Sequence, residues 1–196
     1  LGARKNSDIR RVEMGGRCGE LIATDDCVLV VIDVQGKLLA VMNEREKILD
    51  NAIKLARFAK VVGMPVLVTE QEKLGPTAEE LDAELGEHSP IMKLDFDACR
   101  VEKFTEALEQ LCRSTVVICG IESHICVTQT VLSLLPRYNV HVVRDAVGSR
   151  TRENLKVALD RMSDSGAVIT STEMVMYELL QRAGTDEFRE VLKLIK

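Results

Sequence analysis

Read for its apolar positions, the chain alternates between two kinds of segment. Cys27-Val28-Leu29-Val30-Val31-Ile32 is a continuous apolar, β-branched run, the pattern of a strand buried on both faces. Shorter runs of the same character are Pro65 to Thr69, Ile91 to Leu94, Thr115 to Cys119, Asn139 to Arg144 and Ala167 to Thr170. Between them, apolar residues recur at the three- and four-residue spacing of one helix face. Ile48, Leu49, Ala52, Ile53, Ala56, Ala59 and Val62 form one such stripe, ended by Gly63. Val101, Phe104, Leu108 and Leu111 form another, and Leu155, Ala158, Leu159 and Met162 a third, ended by Gly166. Residues 124–135 read as a helix stopped by Pro136, Met174 to Leu180 as part of another, and residues 186–195 as the last. Asn43 to Glu46 and Thr77 to Glu80 each resemble a capping box, the second opening a short helix that ends near Gly86.

Six strands separated by helices specify an α/β fold: a single-domain, three-layer α/β/α arrangement with a six-stranded parallel sheet and right-handed crossovers. Ligands of such sheets bind outside the carboxyl ends of the strands, so reactive side chains at those ends are the ones to find. No G-x-G-x-x-G or G-x-x-x-x-G-K-[ST] follows a strand, which counts against a dinucleotide or P-loop site.

Composition narrows the function classes. At 196 residues with 46% hydrophobic content, one domain can bury roughly 70% of its unfolded surface. Residues 1–20 carry glycines and arginines without an apolar period and read as an N-terminal arm; residues 21–196 read as the domain. The net charge of −5 and the 3% aromatic content argue against nucleic-acid partners. No apolar run approaches the ~18 residues of a membrane span, and no signal peptide is visible. The cysteines, at positions 18, 27, 99, 112, 119 and 126, include no C-x-x-C pair. That usage suits a reduced, cytoplasmic protein.

Three residues carry candidate chemistry. Cys126 lies one short turn beyond Thr115 to Cys119, in Gly120-Ile121-Glu122-Ser123-His124-Ile125-Cys126-Val127. A cysteine in the first turn of a helix meets unpaired N–H groups and the positive end of the helix dipole, which favour the reactive thiolate. Its alternative reading is a small buried hydrophobe. Asp33 directly follows the first strand and reads alternatively as a turn or cap residue. Lys93 lies at the end of the third, and reads alternatively as a surface lysine lying along its own stem. Topology places carboxylate, ammonium and thiol at one edge of one sheet, a site for a small molecule.

In their order and spacing these segments resemble the isochorismatase-like cysteine hydrolases, which include nicotinamidases and N-carbamoylsarcosine amidohydrolase. The resemblance spans residues 22 to 183. It rests on Asp33-Val34-Gln35, on Thr69-Glu70-Gln71 followed by Leu74-Gly75-Pro76-Thr77, on Lys93 with Phe96 nearby, and on Gly120 to Val127. The second of these segments and His124 look most like the isochorismatase domain-containing branch. The resemblance implies a Rossmann-like fold and a triad of Asp33 as general base, Lys93 as orienting cation and Cys126 as nucleophile. It also implies an oxyanion hole of the Glu122 and Cys126 backbone N–H groups, with a cis peptide between Ile121 and Glu122. Gln35, Gln71 and His124 are the candidates for substrate contact; the glutamines read alternatively as satisfying local backbone groups, and His124 as a helix-start residue.

Two departures refine the expectation. Nicotinamidases carry a metal-binding Asp-x-His and a second histidine after the second strand, whereas Glu70 to Leu74 contains none. His88, His124 and His141 show no ligand spacing, so neither metal nor cofactor is expected and a pyridine-ring substrate is disfavoured. Isochorismatases proper cleave a vinyl ether without needing the cysteine. With Cys126 present, C–N hydrolysis of a small amide or carbamoyl compound through a thioester is the expected reaction. Ether hydrolysis and a non-catalytic interaction protein are the alternatives. Lys93 is expected to lower the thiol pKa below its reference of about 8.5. A homo-oligomer is expected, from the resemblance and from the apolar stretch Met174 to Leu180.

Overall fold

The computed structural model describes residues 21–195; the N-terminal arm read from the sequence lies outside them. The strands are β1 (Cys27–Ile32), β2 (Val66–Gln71), β3 (Ile91–Lys93), β4 (Thr115–Ile121), β5 (Asn139–Gly148) and β6 (Val168–Thr170). They form one sheet in the order β3-β2-β1-β4-β5-β6, each neighbouring pair parallel. The helices are α1 (Gly36–Leu39), α2 (Arg45–Val62), α3 (Glu79–Leu85), α4 (Glu102–Gln110), α5 (Thr128–Leu134), α6 (Arg152–Asp164), α7 (Thr172–Leu180) and α8 (Asp186–Ile195).

Strand β1 shows why its sequence is apolar without alternation. Val28, Val30 and Ile32 enter one core with Phe104 and Leu108 of α4, Val131 of α5 and Met162 of α6. Cys27, Leu29 and Val31 enter the other with Leu55 and Phe58 of α2, Leu81 of α3, Met176 of α7 and Val191 of α8. A central parallel strand has no solvent side on which to place polar residues.

Strand order reverses between β1 and β4, and crevices for ligands open at such a reversal. Backbone packing there is close. Gly120, with φ +131°, stands where a Cβ would lie 2.1 Å from the Ile32 carbonyl oxygen. Glycine at this position is therefore steric necessity.

Local signals read from the sequence misplace some helix starts. Helix α2 is preceded by Glu44 at φ 56° with no side-chain cap bond. Its carboxylate instead pairs with Arg152 at 2.9 Å. Helix α3 opens at Ala78 without a side-chain cap, because the Thr77 hydroxyl is committed to Glu70. The expected 124–135 helix divides into a wide π turn, Ser123–Val127, and α5. Strand β5 runs past Arg144 to Gly148. Among the described residues no helix is long and apolar enough to cross a membrane.

Candidate active site

Asp33 leaves β1 with φ 52°, and its buried carboxylate faces two partners. Oδ1 accepts from the Thr69 hydroxyl at 2.7 Å. Oδ2 lies 2.6 Å from Lys93 Nζ, both side chains 0% exposed. A buried pair repays its desolvation only where the remaining donors and lone pairs are also satisfied. Lys93 meets that condition: Nζ also donates to Gln71 Oε1 at 2.8 Å and to the Asp95 carbonyl at 3.3 Å.

The motif around Thr69 thus resolves residue by residue. Thr69 and Gln71 serve one side of β2, holding Asp33 and Lys93 respectively. Glu70, between them, accepts from the Thr77 N–H at 2.7 Å and the Thr77 hydroxyl at 2.8 Å. This secures the loop that Gln35 joins by an antiparallel bridge to Thr77.

Gln35 and Gln71, read from the sequence as substrate contacts or as partners of local backbone, both bond groups of the protein. The Gln35 carboxamide donates to the carbonyls of Gln71, at 3.0 Å, and Gly75, and accepts from the Gln71 N–H at 2.9 Å. Gln71 spends its oxygen on Lys93 and donates from Nε2 to the Leu94 carbonyl at 2.9 Å. Both carboxamides have partners within the protein, Gln35 buried and Gln71 partly exposed.

The thiol is positioned by backbone. After β4 the peptide Ile121–Glu122 is cis. In the following π turn the Val127 and Thr128 N–H groups reach back five residues, to the Glu122 and Ser123 carbonyls. The Thr128 hydroxyl bonds Ser123 O at 2.6 Å. Two contacts from the β5–α6 connection brace this turn. His124 Nδ1 lies 3.0 Å from Ser149 Oγ, and Arg150 Nε donates to Glu122 Oε2 at 2.8 Å. Thr69, Glu70, Ser149 and Arg150 were not singled out as supports by the sequence reading. The Thr69-Glu70-Gln71 segment carries a signal for the first two; the last two come together with the turn only in the fold.

The thiol titrates oppositely to the sequence expectation. Burial, and after it the Asp33 carboxylate, push Cys126 from 9.0 up to about 12, with Lys93 acting in the lowering direction. A helix start was expected to favour thiolate, but a thiol removed from water beside a carboxylate keeps its proton. Carboxylate, ammonium and neutral thiol therefore stand together, an arrangement able to pass a proton from sulfur to carboxylate when sulfur attacks an electrophile.

The three histidines stay apart. His141 is buried in β5, His88 lies 3.4 Å from Asp82, and His124 belongs to the turn that carries Cys126. Among the described residues no group of three or more His, Cys, Asp or Glu side chains is placed to hold a metal ion.

A parallel α/β sheet with a buried carboxylate–ammonium pair and a thiol at its switch point defines the class. The isochorismatase domain matches residues 27–174, and the chain belongs to that family of hydrolases. It is 38% identical over 189 residues to the secreted isochorismatase effector Isc1 of Phytophthora sojae (strain P6497), covering 92% of this chain and 89% of that protein. It is 36% identical over 194 residues to isochorismatase domain-containing protein 2 of Xenopus laevis, covering 96% and 89%. Among solved structures, the MAR1 ribonuclease of Caenorhabditis elegans superposes with a TM-score of 0.84 at 34% identity, covering 90% of this chain and 92% of that one.

Proposed function

We infer that this protein is a metal-independent cysteine hydrolase that cleaves the C–N bond of a small amide or carbamoyl compound through a thioester on Cys126. One observation carries the reading: an Asp33–Lys93 pair at 2.6 Å, closed to solvent, beside a thiol whose proton that carboxylate helps retain. As the sulfur attacks the substrate carbonyl carbon, Asp33 takes its proton, and Lys93 offsets the negative charge passing between them. The carbonyl oxygen is received by the backbone N–H groups of Glu122 and Cys126. Asp33 returns the proton to the nitrogen, the C–N bond breaks, and ammonia or an amine leaves. A water deprotonated by Asp33 then attacks the thioester, releasing the acid and restoring the thiol. Substrate contact falls to His124 and to exposed groups near Lys93 in the chain, such as Phe96, which is 52% exposed.

The likeness to a relative named as an isochorismatase effector favours one second reading, vinyl-ether hydrolysis, which would survive loss of the sulfur. The name of the C. elegans ribonuclease is not carried over: a net charge of −5 gives a phosphate backbone no general attraction. Exposed Met174 and Tyr177 on α7, with Met92, Leu94 and Phe96 beside the site, support a homo-oligomer. The five free cysteines among the described residues support a reducing, cytoplasmic setting.

The test is trapping. Incubation with small amides and aldehydes should leave a covalent adduct on the Cys126 peptide by mass spectrometry. Turnover of an identified amide with no adduct at Cys126, and undiminished in Cys126→Ala, would refute the thioester.

A further inference from the structure

The two glutamines singled out in the sequence are not absorbed by that chemistry, yet both are built into the site. We propose that Gln35 and Gln71 form a two-carboxamide relay that fixes the Lys93 ammonium against Asp33, making Gln71 a positioning residue of the reaction; the proposal rests on the triad reading above.

The relay begins where β1 ends. Ile32 is the last β1 residue in register with β2, opposite Thr69, and the Asp33 N–H still reaches the Thr69 carbonyl at 3.1 Å. Two residues further along β2, Gln71 has no β1 residue opposite it. The Gln35 carboxamide takes that place, accepting from the Gln71 N–H at 2.9 Å and donating to its carbonyl at 3.0 Å. A side chain so continues the ladder by one rung. Gln35 is 0% exposed, and an amide pairing through both its groups leaves Gln71 little backbone freedom.

Gln71 then transmits this order to the cation. Its Oε1 lies 2.8 Å from Lys93 Nζ, while its Nε2 is anchored on the Leu94 carbonyl at 2.9 Å. The anchor fixes which carboxamide atom faces the ammonium, since the oxygen must turn toward Nζ once the nitrogen is held. Three acceptors consequently surround Nζ: Asp33 Oδ2, Gln71 Oε1 and Asp95 O. Only the first carries charge. A neutral acceptor holds the ammonium in place without cancelling it, so the cation remains available to favour thiolate formation at Cys126. A second carboxylate at position 71 would hold Lys93 equally well but leave the cage with excess negative charge.

The experiment measures iodoacetamide alkylation of Cys126 between pH 7 and 10 in the full chain, with thermal melting as the check on folding. Lys93→Met should slow alkylation about tenfold, the change that one pKa unit makes in thiolate population. Gln71→Met, which keeps the length and removes the acceptor, should slow it several-fold while melting near the wild type. Gln71→Glu keeps an oxygen and a similar volume, and should also slow alkylation because of its charge; it carries the test should Gln71→Met fail to fold. A folded Gln71→Met, or a Gln71→Glu, alkylated at the wild-type rate while Lys93→Met is slow overturns the relay and leaves the triad standing. A wild-type rate in Lys93→Met overturns the triad reading, and the relay with it.

Discussion

The two halves of the site are held by different means. Asp33 and Lys93 sit in a closed cage: Thr69 donates to Asp33 at 2.7 Å, Gln71 accepts from Lys93 at 2.8 Å, and Gln35 in turn holds the Gln71 backbone at 3.0 Å. Cys126 rides on a backbone turn with two side-chain braces: half-buried His124 on buried Ser149, and Arg150, itself 54% exposed, on Glu122. The difference follows from what each half must hold. Charges kept from water need every neighbour satisfied, because an unmatched partner costs several kcal/mol. A neutral thiol needs only a place, which main-chain geometry supplies.

The largest expected effects lie where the halves meet. Cys126→Ala and Asp33→Asn should each lower turnover by about 10⁴-fold or more, in line with losses from triads that act as a unit. Both should remain folded in circular dichroism. An Asp33→Asn enzyme with near wild-type turnover of an identified amide would show that the cage serves packing and not chemistry.

Next in size is the separation of the cage from its charge. Lys93→Met leaves the Asp33 carboxylate buried and unmatched, and should cost about 3–5 kcal/mol. Adding Asp33→Asn removes the unmatched charge, so the double variant should be more stable than Lys93→Met alone in urea unfolding. Lys93→Arg should not restore function, because a planar guanidinium cannot occupy a cage built around a compact ammonium. If the double variant is the less stable, the pair is not the electrostatic unit its 2.6 Å separation indicates.

Alkaline pH tests the nucleophile half. Cys126 is raised from 9.0 to about 12 by burial first and by Asp33 second; buried Cys119 is raised likewise to about 12. Each holds its proton more tightly folded than unfolded. It therefore contributes stability that is complete below pH 9 and is lost as pH climbs toward 12. The urea midpoint should fall between pH 9 and 10.5, and fall less steeply in Cys126→Ala. A midpoint that rises over this interval would restore the thiolate expected from the helix start.

Much of this was legible in the chain, and unevenly so. The strands announce themselves because burial on two faces leaves them continuously apolar, and parallel topology then brings Asp33, Lys93 and Cys126 to the sheet's carboxyl edge. The supports are less visible. Gln35 and Gln71 read either as substrate contacts or as partners of local backbone, because a sequence does not reveal that the β1 ladder stops short of Gln71. Thr77 reads as a helix cap because its hydroxyl's distant partner, Glu70, is brought close only by the loop between them. The thiol pKa was misread for a related reason: helix position is local and legible, whereas burial and the Asp33 carboxylate arrive with the tertiary fold.

The smallest effects sharpen the comparison most, because they set one brace of each half side by side. Thr69→Val keeps the shape of the side chain and removes one donor from a buried carboxylate. Hydrogen bonds to charged groups contribute about 1.5–3 kcal/mol, so the loss should be readily measured. Arg150→Gln breaks an ion pair of 2.8 Å whose cationic partner is more than half in water. Glu122 itself is 7% exposed, but the new carboxamide still offers its carboxylate a donor and the lost charge was already largely screened by water, so the loss should stay smaller than that of Thr69→Val. Cys126 alkylation should also stay near the wild-type rate, since the π turn carries the sulfur and Arg150 braces only Glu122, the residue before it. Equal losses in the two variants, measured by urea unfolding at pH 7, would mean that the nucleophile turn depends on its surface brace as heavily as Asp33 depends on Thr69. The contrast between a caged half and a backbone-borne half would then fall.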